Sequence, residues 1–108
     1  MPSKAIRRKF ASGLLVGLDL VWPVLSVLVV LIVGLGVLVG LIEGWSLQES
    51  VYFAFVTGLT IGYGDFSPTL LLTRTLAVMI GVCGVLVTAL VAGVAVQAFA
   101  AAREEKGP

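Results

Sequence analysis

Two long apolar stretches dominate the chain, and each is longer than the core of a small soluble domain requires. Residues 20–42 carry no charge, and as a helix of about 1.5 Å per residue they would extend roughly 34 Å, enough to cross the hydrocarbon of a bilayer with some tilt. Residues 74–101, opened by Arg74, form the second stretch. Between the two, Ser46-Leu47-Gln48-Glu49 has the spacing of a capping box and starts a helix over 46–57. That helix would be about 16 Å long, too short to span, so it must enter the membrane and turn back. Ahead of the first stretch, Ile6, Phe10, Leu14 and Leu18 share one stripe opposite Arg7 and Arg8, which predicts an interfacial helix over 3–18 lying on the inner leaflet. The expected fold class is an all-α membrane protein: two transmembrane helices flank a re-entrant helix and an extended segment.

The extended segment is Thr57-Gly58-Leu59-Thr60-Ile61-Gly62-Tyr63-Gly64-Asp65. An ordinary strand sends successive carbonyls to opposite sides, whereas positive φ at alternate residues can turn them the same way. Gly62 and Gly64 are spaced for that. The carbonyls of Thr60, Ile61, Gly62 and Tyr63, with the Thr60 hydroxyl, would then form a ladder of neutral oxygens. Such a ladder suits a monovalent cation that sheds its water without being trapped, because fixed carboxylates would hold divalent ions too tightly. One ladder covers only one side of an ion, so several copies must face each other in a closed ring.

Composition agrees with a membrane location: 59% of the 108 residues are hydrophobic, and the mean hydropathy is +1.15. A net charge of +1 gives no reason to expect a nucleic-acid partner. Lys4, Arg7, Arg8 and Lys9 precede the first stretch, and Arg103 and Lys106 follow the last. The positive-inside rule therefore puts both termini in the cytoplasm and Glu43, Glu49 and Asp65 outside, in what reads as a prokaryotic inner membrane. The basic start resembles a signal peptide but lacks a short apolar region ending in a cleavage site, so the apolar run is expected to stay and span. The sequence has no histidine, which removes imidazole proton sensing and His-ligated metals. No nucleophile, paired carboxylate or ligand cluster points to an enzyme or a cofactor, and Glu104-Glu105 reads as a solvated pair. Cys83 reads as a buried free thiol.

Thr57-Gly58-Leu59-Thr60-Ile61-Gly62-Tyr63-Gly64-Asp65 resembles the signature of tetrameric potassium channels, whose filter loops carry TVGYG or TIGYG. The family layout of outer helix, pore helix, filter and inner helix covers about residues 18–102, nearly the whole chain. The resemblance implies a homotetramer in a lipid bilayer, a fourfold ring with K+ as permeant ligand at Thr60, Ile61, Gly62 and Tyr63, and Gly64 completing the filter. It assigns support of the filter to Tyr52, Phe53, Val56, Thr57 and Asp65, with Tyr63 packing outward into an aromatic cuff. Val56 stands where some members have a glutamate that pairs with the aspartate after the filter, and Phe53 where many have a hydrogen-bonding tryptophan. The Tyr52 hydroxyl is then the remaining candidate partner of Asp65. Leu59 replaces the first threonine of the common pair, while Thr60 is kept. A family glycine about twenty residues past the filter acts as inner-helix hinge, and Gly84 stands there; close packing against the outer or pore helix is the other use of Gly84, and more so of Gly81.

Val85, Thr88, Ala92 and Val96 follow helical spacing on one face, assigned to a water-filled cavity, and Val96 with Ala100 would form an apolar constriction that closes by dewetting. The C-terminal end of the 46–57 helix should bring partial negative charge toward a cation below the filter. Trp22 and Trp45 sit at the two ends of the first span like interfacial belt residues, and Pro23 falls in its expected first turn. Gly36 and Gly40 could serve dimerisation or packing within the bundle. Asp19 is either an ion-pair partner of Arg7 or a neighbour's Arg103, or a hydrated acid. Arg74 either snorkels or pairs with Glu43 or Glu49.

The expected function is passive, selective K+ conduction. Alternatives are a weakly selective monovalent cation channel, the isolated pore of a larger gated channel with a regulatory domain elsewhere, and a non-conducting membrane hairpin. Intact Tyr63 and Gly64 argue against the first, and the capping box with TIGYGD against the last.

Overall fold

The computed structural model describes residues 3–104. Glu105, Lys106, Gly107 and Pro108, most of the expected cytoplasmic tail over 102–108, lie outside the described residues. Three helices follow in order: α1 (Ser3–Glu43), α2 (Leu47–Gly58) and α3 (Leu71–Glu104). Both α1 and α3 are long and apolar enough to cross a membrane.

Helix α1 is one uninterrupted element where the sequence pattern suggests a break near Asp19. Leu18-Asp19-Leu20 holds neither glycine nor proline, and the aspartate stays exposed, so nothing there ends the hydrogen-bond ladder. Pro23 consequently sits well inside a helix rather than in a first turn. It offers no N–H to the carbonyl of Asp19, a loss that a spanning helix tolerates where other groups or water replace the bond.

The chain divides into two compact units, Ser26–Thr88 and the segments on either side of it. In the first, α2 buries Ser50, Phe53, Ala54, Val56 and Gly58, a stripe with helical spacing. Gly36 and Gly40 face that helix. A Cβ at Gly36 would press on Ala54 and come within 3.2 Å of the Ser50 carbonyl, and one at Gly40 would collide with the Ser50 side chain. The GxxxG spacing thus serves packing inside the chain. The core joins Ile32, Val39, Phe53, Ala54 and Ile80, with half-buried Cys83 against it.

Ser46 caps α2 with both bonds of the capping box: its amide donates to Glu49 Oε1 at 2.8 Å, and its Oγ accepts from the Glu49 amide at 3.2 Å. Ser46→Ala should lower stability by about 1 kcal/mol, read as a lower thermal midpoint in detergent.

In the second unit, Phe10 meets Phe99 edge-on with centroids 6.3 Å apart. Gly13 lies over Ala98 and Gly17 over Val94. On α3, Val94, Ala98 and Ala102 are buried at successive four-residue steps. The stripe Ile6, Phe10, Leu14 and Leu18, expected on a leaflet, is half-buried. Gly13 and Gly17 on α1 face Ala98 and Val94 on α3, and the missing side chains let the two backbones approach closely.

Candidate functional site

Beyond Gly58 the backbone turns sharply. Leu59 caps α2 with φ −82° and ψ 3°. Its amide donates to the Phe55 carbonyl at 2.8 Å, that of Thr60 to Thr57 at 3.1 Å, and those of Ile61 and Gly62 to Val56 at 2.9 and 3.2 Å. Four consecutive N–H groups are folded back onto the last turn of the helix. In a trans peptide the N–H and C=O point in opposite directions, and no cis bond occurs among the described residues. The carbonyls of Leu59, Thr60 and Ile61 are therefore all directed away from α2.

Positive φ recurs at every second residue: Thr60 (64°), Gly62 (62°) and Gly64 (80°). Glycine supplies the last two without steric cost. Thr60 is the unexpected member. A side-chain-bearing residue in this region costs about 1–3 kcal/mol and persists only when its surroundings over-determine it. Here the amide bond to Thr57 and a hydroxyl bond to the Leu59 carbonyl hold it.

The same bonds change the electrostatics expected of α2. Partial negative charge at a helix C-terminus resides on unpaired carbonyls, and those of Phe55, Val56 and Thr57 accept from the following amides. Less of it remains for a cation below the segment.

The 60–64 segment is exposed along its length on this single chain, with Ile61 at 48% and Tyr63 at 71%. Of the residues expected to support it, Phe53 and Val56 are buried and Thr57 half-buried. Tyr52 reaches Asp65: hydrogen bonding to that carboxylate, with burial adding, pushes the Tyr52 hydroxyl above the ordinary tyrosine range. Tyr52 also lies edge-on to Phe66, with centroids 5.9 Å apart. Trp45, expected at the membrane interface, packs on Phe53 at 5.0 Å and on Phe66 at 5.4 Å.

The loop leaving the segment is tied down residue by residue. Ser67 Oγ donates to the Gly64 carbonyl at 3.2 Å, and Arg74 Nε to the Pro68 carbonyl at 3.4 Å. Glu43, considered above as a partner of Arg74, accepts instead from Thr69 and Thr73. Thr73 Oγ1 also accepts from the Leu70 amide at 3.1 Å, which starts α3 at Leu71, a turn before Arg74. The signal for this was present as two threonines four residues apart, Thr69 and Thr73, ahead of an apolar run.

On α3, Gly84 is a point of close approach. A Cβ there would lie 2.8 Å from Gly58 Cα and closer still to the Gly58 carbonyl. Gly81, the stronger packing candidate from sequence, faces open space. Val85, Thr88, Ala92, Val96 and Ala100 are all exposed. A hollow of about 480 Å³ brings Thr60 together with Val78, Gly81, Val82, Val85 and Leu86, without Thr88.

Residues 24–101 match the model of a family described as ion channels, nearly three-quarters of the chain. The chain belongs to that ion channel family. Its relatives carry the same theme. It is 41% identical over 51 residues to the probable potassium channel protein 2 of Methanocaldococcus jannaschii, covering 47% of this chain and 15% of that one. It is 60% identical over 25 residues to potassium channel subfamily K member 16 of mouse and of human, covering 23% of this chain and 9% and 8% of theirs. The channel chain therefore spans a small part of the length of these relatives. No solved structure matches it.

Proposed function

We propose that this ion channel chain is one subunit of a homotetrameric, potassium-selective pore that conducts passively, with the carbonyls of Thr60, Ile61, Gly62 and Tyr63 replacing the water of the permeant ion. The carrying observation is the alternation of positive φ at residues 60, 62 and 64, combined with amides turned back into α2. Backbone of this kind at membrane depth needs protein or a water-filled path beside it. On one chain it has neither cover nor a second wall, and four copies around an axis supply both. Neutral oxygens bind a monovalent ion firmly enough to admit it and weakly enough to release it.

Val85, Thr88, Ala92 and Val96 line the aqueous cavity below, and Val96 with Ala100 form the apolar constriction near the cytoplasmic ends. Gly84 is a packing point and a hinge at once only if α3 bends without leaving Gly58. The relatives named potassium channels support the choice of ion.

Potassium flux into liposomes holding the purified chain tests the reading. Barium should block the flux, and sodium should not replace potassium. Equal fluxes of the two ions would favour a weakly selective cation channel, and no flux at all a non-conducting hairpin. In the potassium channels that the segment resembles, the residue before the proline borders the outer mouth and an aromatic there favours tetraethylammonium block; Ser67 offers no aromatic face, so external block should be weak. Sub-millimolar block in single-channel recordings would contradict this.

A further inference from the structure

Helices α1 and α3 each run without a break from one compact unit into the other, and the division falls between Leu25 and Ser26 on α1 and between Thr88 and Ala89 on α3. On α1 it begins two residues past Pro23. A proline ring removes one hydrogen bond and crowds the carbonyl four residues back, here that of Asp19, and so favours a bend. Packing does little to stiffen the place: Asp19, Leu20, Trp22, Pro23 and Val24 are exposed and Val21 is half-buried. On α3 the division lies between Gly84 and Gly93, and nothing is within 4 Å of a Cβ at Gly93.

The start of α1 and the end of α3 are held together far more tightly. Phe10 meets Phe99 edge-on. A Cβ at Gly13 would lie 3.1 Å from that of Ala98, and one at Gly17 would lie 2.6 Å from Val94 Cγ1 and 3.5 Å from its Cβ. Val94 and Ala98 are buried. They sit in two notches one turn apart on α1, so neither helix can slide along the other without lifting out of them.

We infer that residues 3–22 of α1 and 89–104 of α3 move as one lever when the pore opens, and that α1 bends at Pro23 to allow it. The inference rests on the potassium-channel reading above. Val96 and Ala100 lie in the stretch of α3 that the two notches hold, so withdrawing them from the axis carries the start of α1 along. A force on the basic segment Lys4 to Lys9 then acts on the constriction, although the two lie at opposite ends of the chain.

Single-channel recording of the full chain in planar bilayers tests both parts. Gly17→Cys with Val94→Cys, in a Cys83→Ala background, puts two Cβ atoms at 3.5 Å, within the span of a disulfide. Once mass spectrometry has verified the bond within one chain, the oxidised channel should open as often as the reduced one. Pro23→Ala restores the missing N–H, so that bending breaks a hydrogen bond in every subunit, and the open fraction should fall at least about fivefold, the size of one net hydrogen bond. An α3 that parts from α1 to open would be locked by the disulfide. Oxidation that holds the channel shut or open, reversed on reduction, would overturn the lever, and an unchanged or raised open fraction in Pro23→Ala would overturn the bend. If the first cysteine pair gives no channels, Gly13→Cys with Ala98→Cys makes the same comparison. Absence of potassium current in the wild type would overturn the underlying function instead.

Discussion

Gly62→Ala is expected to abolish potassium-selective conduction while leaving the helices intact. The residue sits at φ 62°, where a Cβ crowds the following carbonyl and costs roughly 1–2 kcal/mol. In a ring of four that cost is incurred four times, about 4–8 kcal/mol, which rivals the entire stability of a typical domain. The cheapest relief is rotation of the peptide back toward negative φ, and that turns a carbonyl out of the ladder. Space is no obstacle, since nothing lies within 4 Å of the added Cβ on the same chain. The defect is therefore conformational, and circular dichroism should report near-normal helix content. Liposome flux assays should show potassium uptake reduced to the level of empty vesicles, or uptake with sodium passing equally well. Gly64→Ala, at φ 80°, should behave alike. Wild-type selectivity in either variant would undercut the carbonyl-ladder assignment.

Gly84→Ala should be the most damaging single methyl addition on α3. The added Cβ would run into the backbone of Gly58, the last residue of α2, and a backbone cannot rotate aside as a side chain can. Overpacking a tight site costs about 1–3 kcal/mol when neighbours can adjust, and this is a site where they cannot readily do so. The expected result is a sharp fall in folded protein and in thermal midpoint. Gly81→Ala provides the control. Nothing lies within 4 Å of its Cβ, and alanine favours a helix by about 0.5–1 kcal/mol, so its midpoint should be unchanged or raised. A pure hinge at residue 84 predicts the reverse: normal folding with altered opening. Equal midpoints for the two variants would remove the packing role of Gly84.

Gly62 and Gly84 differ in how local their roles are. The positive φ of Gly62 and Gly64 was legible, because only glycine takes that conformation freely and the spacing of two is its own signature. The contact of Gly84 with Gly58 was not, because the residues are far apart in the chain and close approach leaves no mark beyond a glycine. Thr60 shows the opposite failure: a β-branched residue gives no warning that it will adopt φ 64°. The capping box at Ser46 and Glu49 is a local device, read from four residues. From the sequence, Glu43 is one of two carboxylates that Arg74 could pair with if it does not snorkel; in the structure Glu43 takes hydroxyls and an amide, and Arg74 donates to the Pro68 carbonyl.

What the sequence determined alone is the set of elements governed by local physics: two apolar stretches long enough to span, a capped half-length helix between them, and a glycine-spaced segment able to turn its carbonyls one way. Tertiary structure decided how those elements meet. It pressed Gly36 and Gly40 onto α2, and placed Trp45 on Phe66 and Glu43 on Thr73. The difference is physical: backbone preference and hydrophobic length act over a few residues, whereas close approach and hydrogen-bond partners depend on which distant segment packs against a given surface.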